Sequence, residues 1–241
     1  RNFGGLTKGM VNMAETTRQF RPVTATILTL GATLVMGMID ADTFLNHGAG
    51  FVSAQTGNLV VFAVKLIEHG WGAAWVNVPV WIGYFLGCFG AQGLSEHLGR
   101  GNNRRQMRWL MVLDVGAYVI LASLQQTLPT MWLIFFLGIV AGYELTVFRQ
   151  VGGLGINNGI MTGNTKNLAT STYRAWIVGD QSARQRQIRL AGVLLIFIVG
   201  CGVGARLAML TPHGLLWIAT AVKAILLAWL FLPVAMEKPV R

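Results

Sequence analysis

One polar tripeptide, Thr-Gly-Asn, occurs twice inside apolar sequence, at residues 56–58 and 162–164. All three residues repeat at the same offset, which is close to half of the 241-residue chain. Threonine and asparagine at membrane depth need hydrogen-bond partners, and glycine weakens or opens a helix there. Paired breaks of this kind are typical of transporters and channels built from two internal repeats. The pattern therefore predicts an architecture and a site, but no particular substrate.

The composition is that of a protein embedded in a membrane. Apolar residues make up 54% of the chain and charged residues only 12%, whereas about 25% of residues are charged in soluble domains. Several apolar segments approach the roughly 20 residues that cross a bilayer. We call the segments S1 to S8; they cover about 23–45, 51–67, 72–95, 107–126, 129–148, 154–173, 189–210 and 214–235. The sequence thus predicts an all-α integral membrane protein with a single membrane domain, 1–241.

Several other classes of protein are disfavoured. The net charge of +10 is better explained by cytoplasmic loops than by nucleic-acid binding. Cys88 and Cys201 lie in apolar segments and are expected to be reduced packing residues. The four histidines lack the spacing of metal ligands, so we expect neither a metal nor a cofactor. No nucleophile elbow or phosphate-binding loop is present, and we expect no enzyme activity.

The basic residues fall into regions that predict the topology. The positive-inside rule places residues 1–21, 99–108, 174–189 and 238–241 in the cytoplasm. The links 125–129 and 211–214 contain no lysine or arginine and are expected outside. The chain must then cross an even number of times between the first two basic regions, so one segment among S1, S2 and S3 does not cross. The same parity argument requires one net crossing from S5 and S6 together.

S2 and S6 are the natural segments that do not cross, because they are short and polar and carry the tripeptides. The result is six transmembrane helices plus two re-entrant or broken segments, arranged as an inverted internal repeat of 22–126 and 129–236. If S2 and S6 crossed completely, one arginine-rich loop would lie outside. S3 and S7 both contain glycines at spacings of three and four, a pattern that lets helix backbones approach closely. Their parallel placement favours duplication.

Three stretches carry a resemblance to known sequences: GMIDA at 37–41, FVSAQTGNL at 51–59 and MTGNTKNL at 161–168. Together they resemble a YoaK-like family of uncharacterised bacterial integral membrane proteins. The sequence departs from the family where a Gln-Asn pair often follows the glycine, since Glu144 and Leu145 stand here. The resemblance covers most of the chain and implies a bacterial inner-membrane protein with a presumed transport role and no assigned substrate or cofactor.

The tripeptides predict a central binding site. If helices begin at Thr56 and Thr162, each threonine is an N-cap near the midplane, and the two helix N-termini face each other. Their partial positive charge and free N–H groups favour an anion or a polar solute. The alternative is that the tripeptides only stabilise packing between the repeats. The predicted substrate-binding residues are Asp40, Gln55, Thr56, Gly57, Asn58, Glu144, Thr162, Gly163, Asn164 and Lys166.

Charged residues within the apolar segments are functional candidates by default. Lys166 follows its tripeptide by about one turn and needs Asp40, Glu144 or a bound anion as a partner, unless it extends to the cytoplasm. Asp40 is a better candidate for proton coupling than Asp42, because it matches the family pattern.

Two further charges lie deep in apolar segments. Asp114 is either functional or paired with an arginine such as Arg206. Lys223, in the middle of S8, has no partner that the sequence identifies.

We therefore predict a small inverted-repeat transporter or channel for a small polar or anionic solute. The expected partners are membrane lipids and the solute, not nucleic acid, with a homo-oligomer or a larger membrane complex left open. The alternative function is a non-transporting scaffold or sensor subunit, with an intramembrane enzyme third. A scaffold has no need of two symmetric polar breaks at its own centre.

The topology can be tested by cysteine labelling from either side of the membrane, in a chain whose native cysteines are replaced. A cysteine at position 103 should react only from the cytoplasm, and one at position 127 only from outside, because the two lie in a basic and a neutral region. Labelling of position 103 from outside alone would contradict the inverted repeat.

Overall fold

The computed structural model describes residues 22–48, 50–98, 103–156, 158–211 and 213–232, which form a helical bundle. The principal helices are α1 (Pro22–Asn46), α2 (Gln55–His69), α3 (Trp71–Ala74), α4 (Val78–Leu98), α5 (Asn103–Leu124), α6 (Thr130–Val147), α7 (Met161–Trp176), α8 (Gln181–Leu210) and α9 (Leu215–Phe231). A short 3-10 turn, Trp75–Asn77, joins α3 to α4. The predicted basic regions 1–21 and 238–241, residues 99–102, and the ends of the predicted domain and second repeat lie outside the described residues.

Five helical stretches are long and apolar enough to cross a membrane. They are Val23–Asn46, Trp71–Leu98, Arg105–Leu124, Thr130–Val147 and Gln181–Leu210, and the shorter helix α9 is also apolar. Buried threonines in these helices satisfy their hydroxyls locally: the Thr33 and Thr220 hydroxyls each donate to the carbonyl four residues before. Polar residues can therefore lie in apolar helices without an unpaired group.

The two tripeptides lie at the starts of short helices. α2 begins at Gln55 and α7 at Met161, one residue before each tripeptide, so neither S2 nor S6 is a continuous helix. The predicted N-caps were wrong. The residues at the cap positions are Ala54 and Ile160, which make no side-chain capping bond, and both tripeptide threonines are exposed.

Three predicted segment boundaries also differ from the structure. The start of S6 is a two-stranded hairpin, β1 (Gln150–Val151) paired with β2 (Leu154–Gly155), with two positive-φ glycines in its turn. S7 begins earlier, at α8 residue Gln181, because the Asp180 carboxylate accepts the first free N–H groups of the helix as its N-cap. The helix within S8 is shorter than predicted, since α9 ends at Phe231.

Two close helix crossings hold the bundle together, and both depend on glycines. Where α4 meets α6, a β-carbon at Gly87 would collide with the backbone of Ile139, and one at Gly142 with the backbone of Tyr84. Where α1 meets α8, Gly200 lies in the same way against the backbone of Leu34. The glycine face predicted for S3 and S7 is thus a packing face.

Segments that adjoin the basic regions lie at one end of the bundle, and the two neutral links lie at the other. At one end, which we call the arginine end, Arg189 Nη1 donates to the Gly152 carbonyl at 2.6 Å and Arg108 Nη2 to the Leu230 carbonyl at 3.2 Å. The Gly152 N–H donates in turn to Thr26 near the start of α1. At the opposite end, the Gln125 amide donates to the His213 carbonyl and so joins the two neutral links. The grouping agrees with the predicted sidedness; which end faces the cytoplasm stays a prediction.

The α4–α6 crossing can be tested by comparing two glycines of one helix. Gly87→Ala should destabilise the protein by about 1–3 kcal/mol, because the new methyl group overpacks against backbone that cannot move aside. Gly90→Ala, where a β-carbon meets nothing within 4 Å, should leave stability unchanged or raise it. Thermal unfolding of the two variants in detergent checks this, and equal stability would contradict the close crossing.

Candidate functional site

The segments that precede α2 and α7 touch each other inside the bundle. The Ser53 hydroxyl oxygen lies 3.1 Å from the Gly159 carbonyl oxygen, and these residues are 106 positions apart, the offset of the tripeptides. A β-carbon at Gly159 would lie 2.7 Å from that of Ser53, so only glycine fits this approach. We call this the central contact. It joins corresponding positions of the two predicted repeats.

Asp40 and Asn58 hold the chain on the α2 side of the central contact. The N–H groups of Val52 and Ser53 donate to Asp40 Oδ1 at 2.8 and 3.0 Å, and the Ser53 hydroxyl donates to Asp40 Oδ2. The Asn58 amide accepts from the Phe51 N–H and donates to the Phe51 carbonyl and to Gln55. These two side chains satisfy backbone groups of the non-helical segment at residues 51–53, just before α2.

The α7 side of the central contact has a different chemistry. Asn158, beside Gly159, is 0% exposed, and neither atom of its amide has a hydrogen-bond partner among the described residues. Asn164 is also buried, with its Nδ2 3.7 Å from the sulfur of Met161. Leu145 approaches Gly159 closely. A buried amide without a partner is costly, so Asn158 is a place where the described residues leave the interior hydrogen bonding incomplete.

The structure gathers only part of the predicted substrate-binding set. Asp40, Gln55 and Asn58 lie in the network just described, and Gly57 packs against the ring of Phe51. Thr56 and Thr162 are exposed, and a β-carbon at Gly163 would meet nothing within 4 Å. Whether these residues bind a solute stays a prediction.

The proposed partners of Lys166 were wrong. Lys166 is exposed on α7, while Asp40 is engaged by the backbone and hydroxyl of the α2 side. Glu144 is fully buried and binds a different lysine, Lys223. The helix spacing that places Lys166 one turn after Thr162 also turns it outward, away from both acids.

A charge cluster lies between α5, α6 and α9. Lys223 Nζ is 3.0 Å from Asp114 Oδ2 and 2.7 Å from Glu144 Oε2, and the Tyr118 hydroxyl donates to Glu144 Oε1 at 2.6 Å. All three charged side chains are 0–1% exposed. The predicted pairing of Asp114 with Arg206 was wrong, since Arg206 is exposed. Lys223, which had no assigned partner, is the centre of this cluster.

A polar cavity of about 250 Å³ opens at the end of the bundle opposite the arginines. It is lined by Asp42, Asn46, His47, Gln125, Leu133, Leu137, His213 and Leu216. The Asn46 amide donates to Asp42 Oδ1, and His47 Nε2 is 3.7 Å from Asp42 Oδ2. This cavity lies where the predicted outer mouth of the protein would be.

Reasoning from the sequence missed Asn158 and the partners of Lys223. Asn158 lies four residues before the second tripeptide, in S6, where attention fell on the tripeptide itself. An alignment of the two repeats places Asn158 at the position of Val52 in the first repeat. This replacement of an apolar residue by an amide is the signal that could have identified it. The three members of the charge cluster come from distant helices, and no spacing along the chain brings them together.

Asn58 can be compared with Thr56 to test whether the first tripeptide braces the fold. Asn58→Ala removes three hydrogen bonds from buried backbone and side-chain groups, and should cost roughly 1–3 kcal/mol of stability. Thr56→Ala, which changes an exposed residue two positions before Asn58, should be neutral. Thermal unfolding in detergent measures both. An Asn58→Ala protein as stable as the Thr56→Ala protein would leave Asn58 only a functional role.

Comparison with known proteins identifies the family. The family model described as "Protein of unknown function (DUF1275)" matches residues 28–229, which include the central contact and the charge cluster. No curated protein and no solved structure matches the chain. The chain therefore belongs to the DUF1275 family.

Proposed function

We propose that the protein is a small membrane transporter or channel for a small polar solute, built as an inverted repeat. It crosses the membrane six times, through α1, α4, α5, α6, α8 and α9, and α2 and α7 are re-entrant. The arginine end then faces the cytoplasm of a bacterial inner membrane. No enzymatic step is part of this proposal.

The equivalence of the two helix crossings supports the inverted repeat. Gly37 of α1 faces the Phe197 carbonyl and the Cys201 N–H. Gly142 of α6 faces the corresponding pair of groups on α4, the carbonyl of Tyr84 and the N–H of Cys88. Such matching contacts are expected if α6 and α4 repeat α1 and α8 with the opposite orientation in the membrane.

The Asn158 amide, which has no hydrogen-bond partner among the described residues, is the observation that carries the proposed function. It lies beside the central contact, where two short helices begin in the interior of the bundle. Folding alone gains nothing from a buried amide with no partner, since an apolar residue of similar size would cost less. A passing polar solute supplies the missing donor and acceptor.

The geometry favours an uncharged polar solute over an anion. The N–H groups that precede α2 donate to the carboxylate of Asp40 and are not available to a bound anion. Lys166, the cation expected to attract an anion, is exposed instead. The contacts of Asn58 favour the scaffold or sensor alternative. Its amide is bonded to Phe51 and Gln55 of its own segment, so it holds the fold and is not open to a solute.

Transport can be tested by light scattering of reconstituted vesicles. The protein in liposomes is exposed to gradients of glycerol, urea or ribose, and separately of formate or nitrate. We expect faster volume recovery than in empty liposomes for at least one uncharged solute. Recovery only with the anions would favour the anionic class, and no acceleration with any probe would favour the scaffold or sensor.

Asn158→Ala separates a transport role from a structural one. It should slow the recovery by about fivefold or more, the effect of losing roughly 1 kcal/mol or more of hydrogen bonding to the solute. Its thermal stability should be unchanged or higher, because no bond within the described residues is lost. Unchanged transport with lowered stability would contradict the proposal. Gly90→Ala serves as the matched control.

A further inference from the structure

The charge cluster of Asp114, Glu144 and Lys223 has an unequal count of charges. Two carboxylates share one ammonium group, so the fully ionised cluster carries a net charge of −1. Its side chains are 0–1% exposed. An uncompensated charge in a buried, low-dielectric site is strongly unfavourable. One added proton makes the cluster neutral.

Apolar layers close the charge cluster on both sides. Towards the arginine end lies a group formed by Leu28, Met111, Phe148 and Leu230. Towards the opposite end lies the main apolar core, which includes Leu121, Ala141 and Ala219. Each of the three helices thus presents an apolar residue, then a charged one, then another apolar one. The cluster is a single polar layer between two apolar layers of the bundle.

The other titratable groups around the cluster are already engaged. On α5 and α6, the Tyr118 hydroxyl donates to Glu144, and the Tyr143 hydroxyl donates to the Leu110 carbonyl at 2.7 Å. On α1, Asp40 is bound by the segment that precedes α2. Lys223 also lies 5.2 Å from the centre of the Phe148 ring. None of these neighbours supplies a second cation.

The two carboxyl groups face each other as well as the lysine. Glu144 accepts from the Tyr118 hydroxyl and faces Lys223. Asp114 faces Lys223 and lies within hydrogen-bonding reach of the Glu144 carboxyl group. One proton shared by the two carboxyl groups therefore makes the cluster neutral, while Lys223 stays ionised.

The cluster is mechanically connected to the central contact. Leu145 follows Glu144 on α6, and its Cδ1 would lie 3.1 Å from a β-carbon at Gly159. A displacement of the segment before α7 would therefore change the packing around Leu145, next to Glu144. Close packing of this kind transmits small shifts, because packed cores are not continuously deformable.

We propose that Asp114, Glu144 and Lys223 form a proton-binding site that takes up one proton and couples its movement to that of the solute. The proton passes from a hydronium ion, which becomes water, to a carboxylate oxygen of the Asp114–Glu144 pair, and the charge of the cluster changes from −1 to zero. The coupling rests on the proposed function, whereas proton binding by the cluster does not.

Infrared spectroscopy of the protein in lipid nanodiscs tests proton binding by charge counting. At neutral pH the wild type should show the carbonyl stretch of one protonated carboxyl group from the cluster. Asp114→Asn and Glu144→Gln should each lose this band, because either change leaves one carboxylate paired with Lys223 and no need for a proton. Lys223→Met should gain a band, because both carboxyl groups then become neutral.

The matched control is Glu96→Gln, which alters an exposed acid at the end of α4 and should leave this band unchanged. Identical carbonyl bands in the wild type, Asp114→Asn and Glu144→Gln would overturn the proton site. This outcome does not depend on the stability of the Lys223→Met protein.

Coupling is measured in vesicles that contain the pH-sensitive dye pyranine. Each solute of the light-scattering panel is added outside, and the solute that crosses should change the internal pH with the wild type but not with Asp114→Asn. If that solute crosses without moving protons, the coupling is overturned. If no panel solute crosses, the proposed transport function fails, and the infrared result still decides the proton site.

Discussion

Backbone groups that leave a helix inside a membrane protein must find partners within the protein, because hydrocarbon offers none. This constraint governs the two short helices α2 and α7, whose preceding segments are not helical. On the α2 side, the Asp40 carboxylate and the Asn58 amide take up the free backbone groups. The two non-helical segments then meet at Ser53 and Gly159, so each helps to cover the other.

The remaining helices are placed by the need to enclose that contact. The α1–α8 and α4–α6 crossings bring backbones together at glycines. α5, α6 and α9 carry the charge cluster between two apolar layers. A buried ion pair adds little to the stability of a protein. Charged residues inside an apolar bundle are therefore candidates for a functional role.

The interior polar groups fall into two kinds, and the difference decides where function is placed. Asp40 and Asn58 are saturated by bonds to their own half of the chain and behave as structural braces. Asn158 is buried without a partner among the described residues, and the charge cluster lacks one positive charge. Groups left incomplete by the fold are those that a solute or a proton can complete.

The sequence by itself determined the membrane class, the helix starts beside both tripeptides and the glycine packing faces, because these depend on composition and local periodicity. The tertiary structure alone decided which polar groups meet. Lys223 finds its two acids on other helices, Lys166 turns outward, and Asp40 and Asn58 hold the segment before α2, where a threonine cap was expected. Periodicity gives the face of a helix on which a residue lies, but the partner of that face is set by packing between segments far apart in the chain.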